Sequence, residues 1–536
     1  MSRSKPRSRT TPSPSMAAGT YGPISASGEH AGGQIGTYGV MGTYSDQRHL
    51  VASSSYGQEF GTFGPSVSKH VRFIRSSTRV SVIVTARNYG HFLSDCLHSV
   101  LAQTVKPSEI IYCDDGSEDG SLDVARRFEP HGLRVLAGSR AGVVSARNRG
   151  VTASSGDLLL HVDGDDLLAP DFLEQSLGAI NGAALAYCSM RHFGTHVGLW
   201  KPPAWDRTRL WVENYIPTAS LVRREAFEAA GGWVETPARA LWDWNLWLRV
   251  TRLAAAIRAD TVIHYRHHRD NWSLRRQTAS PEEAARMKGD IRISASRLAV
   301  CVVYSGRLPE LFPRWLDSIL AATATLRRDQ LELFVLDDSP HGFWSAAGPQ
   351  IELVQKQFES LRVSRVHSGP TWSDRRSDRA ATARFLTRVY NRFLDESEAE
   401  VLWFVEDDVL VPPHAGDRLM RLLLNGDRPR AAVTGLYRSR YANCFVVSRY
   451  LHGDVVHALH APPTAEPCDM AGTGCLMIFR PGLTERFAPF WHTPNQGPAV
   501  PAHDWNFTWQ LRQSGRPVWV EPQVHCRHYI SEHEWV

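Results

Sequence analysis

Three carboxylates stand within four positions of one another, Asp163, Asp165 and Asp166, interrupted only by Gly164. They follow the mostly apolar run Leu158-Leu159-Leu160-His161-Val162 and are closed by Pro170. Carboxylates packed this closely repel one another, and a cation is the simplest reason to keep them together. Oxygen ligands and few side chains suit Mg²⁺ or Mn²⁺, the ions that bridge a nucleotide's diphosphate. A D-x-D spacing alone is weak, because a solvated acidic turn reads the same way. The chain, however, repeats it. Asn391 to Pro413 lies on Asn148 to Pro170 without a gap, and Asp163-Gly164-Asp165 falls on Glu406-Asp407-Asp408. The distance from Asn to acid is 163 − 148 = 15 in one copy and 406 − 391 = 15 in the other.

Further landmarks recur in the same order. Asp243-Trp244-Asn245 returns as Asp504-Trp505-Asn506, and each is followed by a histidine, His267 at 267 − 243 = 24 and His528 at 528 − 504 = 24. Leu97 to Leu101 matches Leu316 to Leu320. Matched landmarks in one order make a duplicated domain far better supported than chance. Asp243 sits among Trp242, Trp244 and Trp247, where burial would raise its pKa toward that of a useful base. The run His264-Tyr265-Arg266-His267-His268, echoed by His525-Cys526-Arg527-His528, favours a ligand role for one histidine of each set.

The elements that must hold these groups are readable on both sides. Val80 to Thr85 is rich in β-branched residues and predicts a first buried strand. A helix follows through Leu93, Leu97, Val100 and Leu101, then Ile110 to Cys113 runs into Asp114-Asp115-Gly116-Ser117. The alternation up to Asp163 predicts a doubly wound α/β sheet with its acids at strand ends, where such sheets carry chemistry. Leu298 to Val303 opens the second copy, and Leu331 to Leu336 ends in Asp337-Asp338-Ser339. Between the copies, Ser280-Pro281-Glu282-Glu283 carries an N-cap, a proline at the first helical position and a glutamate three after the cap.

With 536 residues the chain is too long for one core. A hydrophobic content of 43% is that of an ordinary soluble globular protein, and a charge of +5 gives no strong field for nucleic acid. The eight cysteines show no C-x-x-C, which predicts reduced thiols and a cytoplasmic setting. No run is long enough to cross a bilayer, and the basic start lacks the apolar stretch of a signal peptide. Residues 1–76, rich in Gly, Ser, Thr and Tyr, predict a disordered tail with Gly-Thr-Tyr echoes.

The ordered set VSVIVTARN, CDDGSEDGS, SARNRG, HVDGDD and WDWNLWLR resembles glycosyltransferase family 2. Residues 298–531 resemble a second, more divergent domain of that family. The resemblance implies two tandem GT-A (Rossmann-like, nucleotide-sugar-binding) α/β domains at 77–275 and 297–536, with a helical connector at 276–296. It implies that Asp114 and Asp115 contact the uracil and ribose of a nucleotide-sugar, with Thr85, Arg87, Arg147 and Asn148 beside the donor. Asp163 would serve donor and metal, Asp165 the metal directly, and Asp243 would be the general base. The family more often has Glu where Trp242 stands. Its Tyr-Arg-x-His pattern favours His268 as third ligand while the internal repeat favours His267, and both stay open. The matching second set is Asp337, Asp338, Asn391 and Glu406 for the donor, Asp408 and His528 for the metal, and Asp504 for the base. The implied activity is Mn²⁺- or Mg²⁺-dependent inverting transfer from a UDP-sugar to a glycan or other hydroxyl acceptor, in polysaccharide or glycoconjugate synthesis, with one site per domain. The alternative is a catalytic first domain and a second kept as a carbohydrate- or nucleotide-binding scaffold. A nucleotidyltransferase would carry a Gly-rich basic phosphate loop, and Thr85-Ala86-Arg87-Asn88 is not one. The expected setting is cytoplasmic or peripheral at a membrane; sugar, acceptor, linkage and oligomeric state have no readable code.

Overall fold

The computed structural model describes residues 78–269, 280–340, 342–348, 350–366, 378–439, 444–451, 454–491, 500–531 and 534. The expected disordered tail lies outside them. The first sheet is built from Val80–Ala86 (β1), Glu109–Asp114 (β2), Leu133–Leu136 (β3), Leu158–Asp163 (β4), Leu167–Leu168 (β5), Leu185–Gly194 (β6), Gly198–Trp200 (β7), Leu221–Arg223 (β8) and Ala256–His267 (β9). Their order is β3-β2-β1-β4-β8-β6-β9-β5, with β7 on β6. β1 is buried at every position, as its β-branched run requires of a strand covered on both faces.

β1, β2, β3 and β4 are parallel, and the chain reverses its direction of travel across the sheet between β1 and β4. Such a switch point opens a crevice beyond the carboxyl ends of the strands. Register fills that edge with chemistry: Thr85 lies opposite Asp163, and Ala86 opposite Asp114.

A second sheet begins with Leu298–Tyr304 (β10), Leu331–Asp337 (β11), Ser360–Arg365 (β12) and Val401–Val405 (β13), in the parallel order β12-β11-β10-β13. Next to β13 lies the antiparallel strand Cys475–Phe479, as β8 lies antiparallel to β4. Ala432–Leu436 then pairs in parallel with Val518–His525, as β6 does with β9. Asp337 faces Tyr304 across the register as Asp114 faces Ala86.

The helix Pro281–Ala295 opens with a reciprocal cap: the Glu283 N–H donates to Ser280 Oγ at 3.2 Å, and the Ser280 N–H to Glu283 at 3.0 Å. Its buried face belongs to a core cluster that also contains Trp244 and Trp247 before it and Val300 and Trp403 after it. Arg292, fully buried, donates to the carbonyls of Trp211 and Val212 on one side and of Leu424, Gly426 and Asp427 on the other, at 2.7–3.1 Å. Buried Glu400 accepts from Arg207 at 2.9 Å and from Arg252 at 2.8 and 3.0 Å. Burial pushes its carboxyl up, but these arginines outweigh it and hold it low.

Candidate active site

The acids that end β2 and β11 act first on their own turns. Asp114 accepts from the backbone N–H groups of Gly116 and Ser117 at 2.9 Å and from the Tyr112 hydroxyl at 3.1 Å. Asp337 accepts from Ser339 N–H at 3.0 Å and from Phe343 N–H at 3.0 Å. Asp115 takes the Gly142 N–H at 2.9 Å and so ties down the start of the helix Val143–Ala153. Asp338, half-buried, donates its N–H to Tyr304 as Asp115 does to Ala86. Thr85 is buried beside Asp163 at the end of β1, and Arg87 is half-buried on the loop that follows.

At the end of β4 the carboxylates diverge. Asp163 takes Arg147 at 2.6 Å, and Asp165 faces His268 Nε2 at 3.0 Å. Asp166 accepts the Arg266 N–H at 2.9 Å. Burial pushes the Asp165 carboxyl up; the His268 bond opposes this and the Asp163 charge adds to it. Burial, then Asp165 and Asp163, raise Asp166 further. Gly164 is needed between them because an added Cβ would come within 2.6 Å of the Ala86 Cβ. His267 is not brought to this cluster. It points away and shares a 2.8 Å hydrogen bond with His192.

Asp243 lies in the first turn of the helix Trp242–Val250, half-buried, with its Oδ2 accepting from Asn214 at 2.9 Å. Burial raises its carboxyl above the usual range, against the Trp244 N–H, Arg147 and Asn214, which favour the ionised form. The Arg147–Asp163 pair is thus within its electrostatic reach.

In the second half Glu406, Asp408 and His528 bring their ligand atoms within 4.8 Å of one another. His528 Nε2 is 3.6 Å from Asp408, and its Nδ1 faces the Arg438 carbonyl at 2.9 Å. Glu406 accepts from Thr473 at 3.1 Å, and Arg307 pairs with Asp408. Asp407 occupies the place of Gly164 and accepts Ser305 N–H and Oγ at 2.8 and 2.6 Å. Burial, with the Asp408 charge, pushes Asp407 up to about 7. Asp504 again opens a helix, His503–Gln513, but its carboxylate accepts the Trp505 N–H at 2.9 Å. Carboxylates with one imidazole are a donor set for a hard divalent cation such as Mn²⁺ or Mg²⁺. Such an ion would relieve the repulsion among these buried acids.

Asn148 and Asn391 have both ends of their amides engaged. Asn148 donates to the Trp233 carbonyl at 2.8 Å and accepts its N–H at 3.2 Å; Asn391 does the same with Phe487 at 2.9 and 3.0 Å. Trp233 had no motif to single it out in the sequence, although it organises the site. Its indole N–H donates to His161 at 3.1 Å and its ring carries the Arg147 guanidinium at 4.5 Å. The paired glycines before it, Gly231 and Gly232, were the available signal. Asn214 and Arg307 stand in segments with no local pattern and left none.

Residues 81–231 match the family described as Glycosyl transferase family 2. The glycosyltransferase GlyA of Streptococcus pneumoniae serotype 4 is 35% identical over 98 residues, 18% of this chain and 14% of that protein. The hyaluronan synthase of Pasteurella multocida is 25% identical over 207 residues, 37% of this chain and 21% of its own length. The chain therefore spans about a fifth or less of these relatives. The S. aureus TarS 1–349 structure in complex with UDP-GlcNAc aligns at a TM-score of 0.35 and 17% identity, covering 40% of this chain and 66% of that one. From the first buried strand to the first of the paired glycines before Trp233, residues 81–231 form a glycosyl transferase family 2 domain.

Proposed function

We propose that the chain is a metal-dependent inverting glycosyltransferase that moves sugars from a UDP-sugar to acceptor hydroxyls, with one site in each half. The observation that carries this is Asp243: a half-buried carboxylate held by Asn214 at 2.9 Å, raised by burial and within electrostatic reach of the Arg147–Asp163 pair at a sheet's switch point. Asp114, Asp115, Thr85 and Arg87 form the donor's bed at the ends of β1 and β2, and Asn148 keeps Arg147 in place through Trp233. Asp163, Asp165 and His268 are the residues that would hold the cation. When bound, a divalent ion neutralises the diphosphate leaving group. Asp243 takes the acceptor's proton on the opposite face, a contribution of typically about 10²–10⁴-fold. One in-line displacement inverts the anomeric carbon.

Residues 297–536 are read as a second, divergent domain of the same family. The strand order, the Asn391–Phe487 clamp and the Glu406–Asp408–His528 group support this. Asp337 and Asp338 would receive its donor and Asp504 would be its base. The name of the Pasteurella relative, hyaluronan synthase, favours a growing glycan as acceptor. One observation favours the scaffold alternative: Arg307 already neutralises Asp408.

The test is a screen of labelled UDP-sugars on the full chain with Mn²⁺, Mg²⁺ or EDTA, comparing Asp243→Asn and Asp504→Asn. Each substitution is expected to abolish one transfer and spare the other, with donor binding intact. Undiminished turnover in EDTA overturns the metal. If Asp504→Asn changes no transfer with any donor, the second half is a binding platform.

A further inference from the structure

Outside the carboxylate clusters, three imidazoles converge from two strands. His192 lies on β6, His196 in the turn between β6 and β7, and His267 ends β9. β6 and β9 pair in parallel, with Gly194 opposite His267. His192 Nδ1 and His267 Nε2 are 2.8 Å apart. The ring centroids lie at 4.9 Å (His192–His267), 5.1 Å (His196–His267) and 5.6 Å (His192–His196). The turn is fastened above the strand end, since Thr195 donates its N–H at 3.0 Å and its hydroxyl at 3.2 Å to the His267 carbonyl.

We propose that His192, His196 and His267 form a binding site for a nitrogen-preferring transition-metal ion, Zn²⁺, Ni²⁺ or Cu²⁺, distinct from the carboxylate sites. Imidazole suits these ions, whereas carboxylates suit Mn²⁺ and Mg²⁺. In tetrahedral zinc coordination, with Zn–N bonds of about 2.0–2.1 Å, two ligand nitrogens stand about 3.3 Å apart. The His192–His267 pair is within half an ångström of that. The proton it shares can pass to the far nitrogen of its ring, which frees both facing lone pairs. Among the described residues, the group of three ligand atoms already within 4.8 Å of one another is the Glu406 one, so His196 has to turn to close the third arm. It is exposed on its turn. Three protein nitrogens leave one position for water or a ligand atom. A His–His hydrogen bond alone would account for His192 and His267 but not for the third ring beside them. The site also accounts for the opposed directions of His267 and His268: successive side chains of an extended segment serve different faces.

The experiment is a Cu²⁺ titration of the full chain and of its Asp165→Asn and Asp408→Asn variants, which weaken the carboxylate sites, followed by electron paramagnetic resonance. The expected result is one tight equivalent coupled to three nitrogens and retained in both carboxylate variants. His196→Gln, a change on an exposed turn that cannot unfold the sheet, is expected to remove one coupled nitrogen. It should also weaken binding at least about tenfold, since loss of even an outer-sphere partner costs metal sites that much. His192→Gln is expected to do the same with an unchanged melting curve. If that variant fails to fold, the nitrogen count in His196→Gln decides by itself. Coupling to a single nitrogen, a nitrogen count unchanged in His196→Gln, or loss of the equivalent in Asp165→Asn but not in His196→Gln would each overturn the site.

Discussion

Asp243 owes its raised pKa first to burial, and in the proposed base role its protonation would set the acid limb of the transfer. Below its folded pKa the carboxyl is protonated and has no lone pair to offer the acceptor proton. Activity is therefore expected to fall as pH drops through that value, at higher pH than an exposed aspartate would show. Asn214 stabilises the ionised form by donating to it. Asn214→Ala should push the carboxyl further up and move the acid limb of kcat/KM to higher pH. A pH–rate profile checks this, and an unmoved limb would separate Asp243 from the base role. His267 and His268 show why residue-scale assignment stops short in the sequence. Adjacent residues of a strand face opposite ways, but which one meets Asp165 depends on the path of β9 beyond its last pairing, and no local pattern encodes that. Likewise Asn148 reads as a polar group free for a donor until Trp233, 85 residues on, is seen to engage both ends of its amide.

The helix Val143–Ala153 holds Arg147 against Asp163 only because Gly150 lets it settle on the sheet. An added Cβ there would sit 2.4 Å from Ile83 Cγ2 and 2.9 Å from Cys113 Sγ. Gly150→Ala is expected to lift the helix, cost roughly 1–3 kcal/mol in overpacking, and lower the first transfer more than the second. Thermal melting together with both transfer assays checks this. Strands such as β1, β2, β10 and β11 were legible because short, almost wholly buried apolar runs leave few alternatives. The capped helix Pro281–Ala295 was legible because its start is written in four residues. By contrast, Val447–Leu451, Asp454–His457 and Met470–Ala471 form a small separate sheet whose short, mixed strands carry no periodicity. Their pairing is set by long-range contacts, so the sequence between Tyr437 and Met470 stayed silent.

Across the whole molecule, Arg292 satisfies backbone carbonyls from both halves at once, while burial lowers its own pKa to about 10. Arg292→Met keeps much of the volume but strands several buried acceptors, each worth about 1–3 kcal/mol. A loss on the order of 3–5 kcal/mol is expected. Because the bonds reach both ways, the two transfers should lose heat resistance together, which paired inactivation curves at one temperature would show. The Arg252–Glu400 pair adds a constraint in time. Its partners are 148 residues apart in the chain. At the usual pace of synthesis the ribosome delivers Glu400 roughly 7–30 s after Arg252. For that interval the leading half carries two arginines with no carboxylate to meet, and an apolar face awaiting β10 and β13. A nascent chain stalled before Glu400 should therefore be cut by protease where the finished protein is not, and codon changes that slow residues 300–400 should lower yield without altering a single side chain.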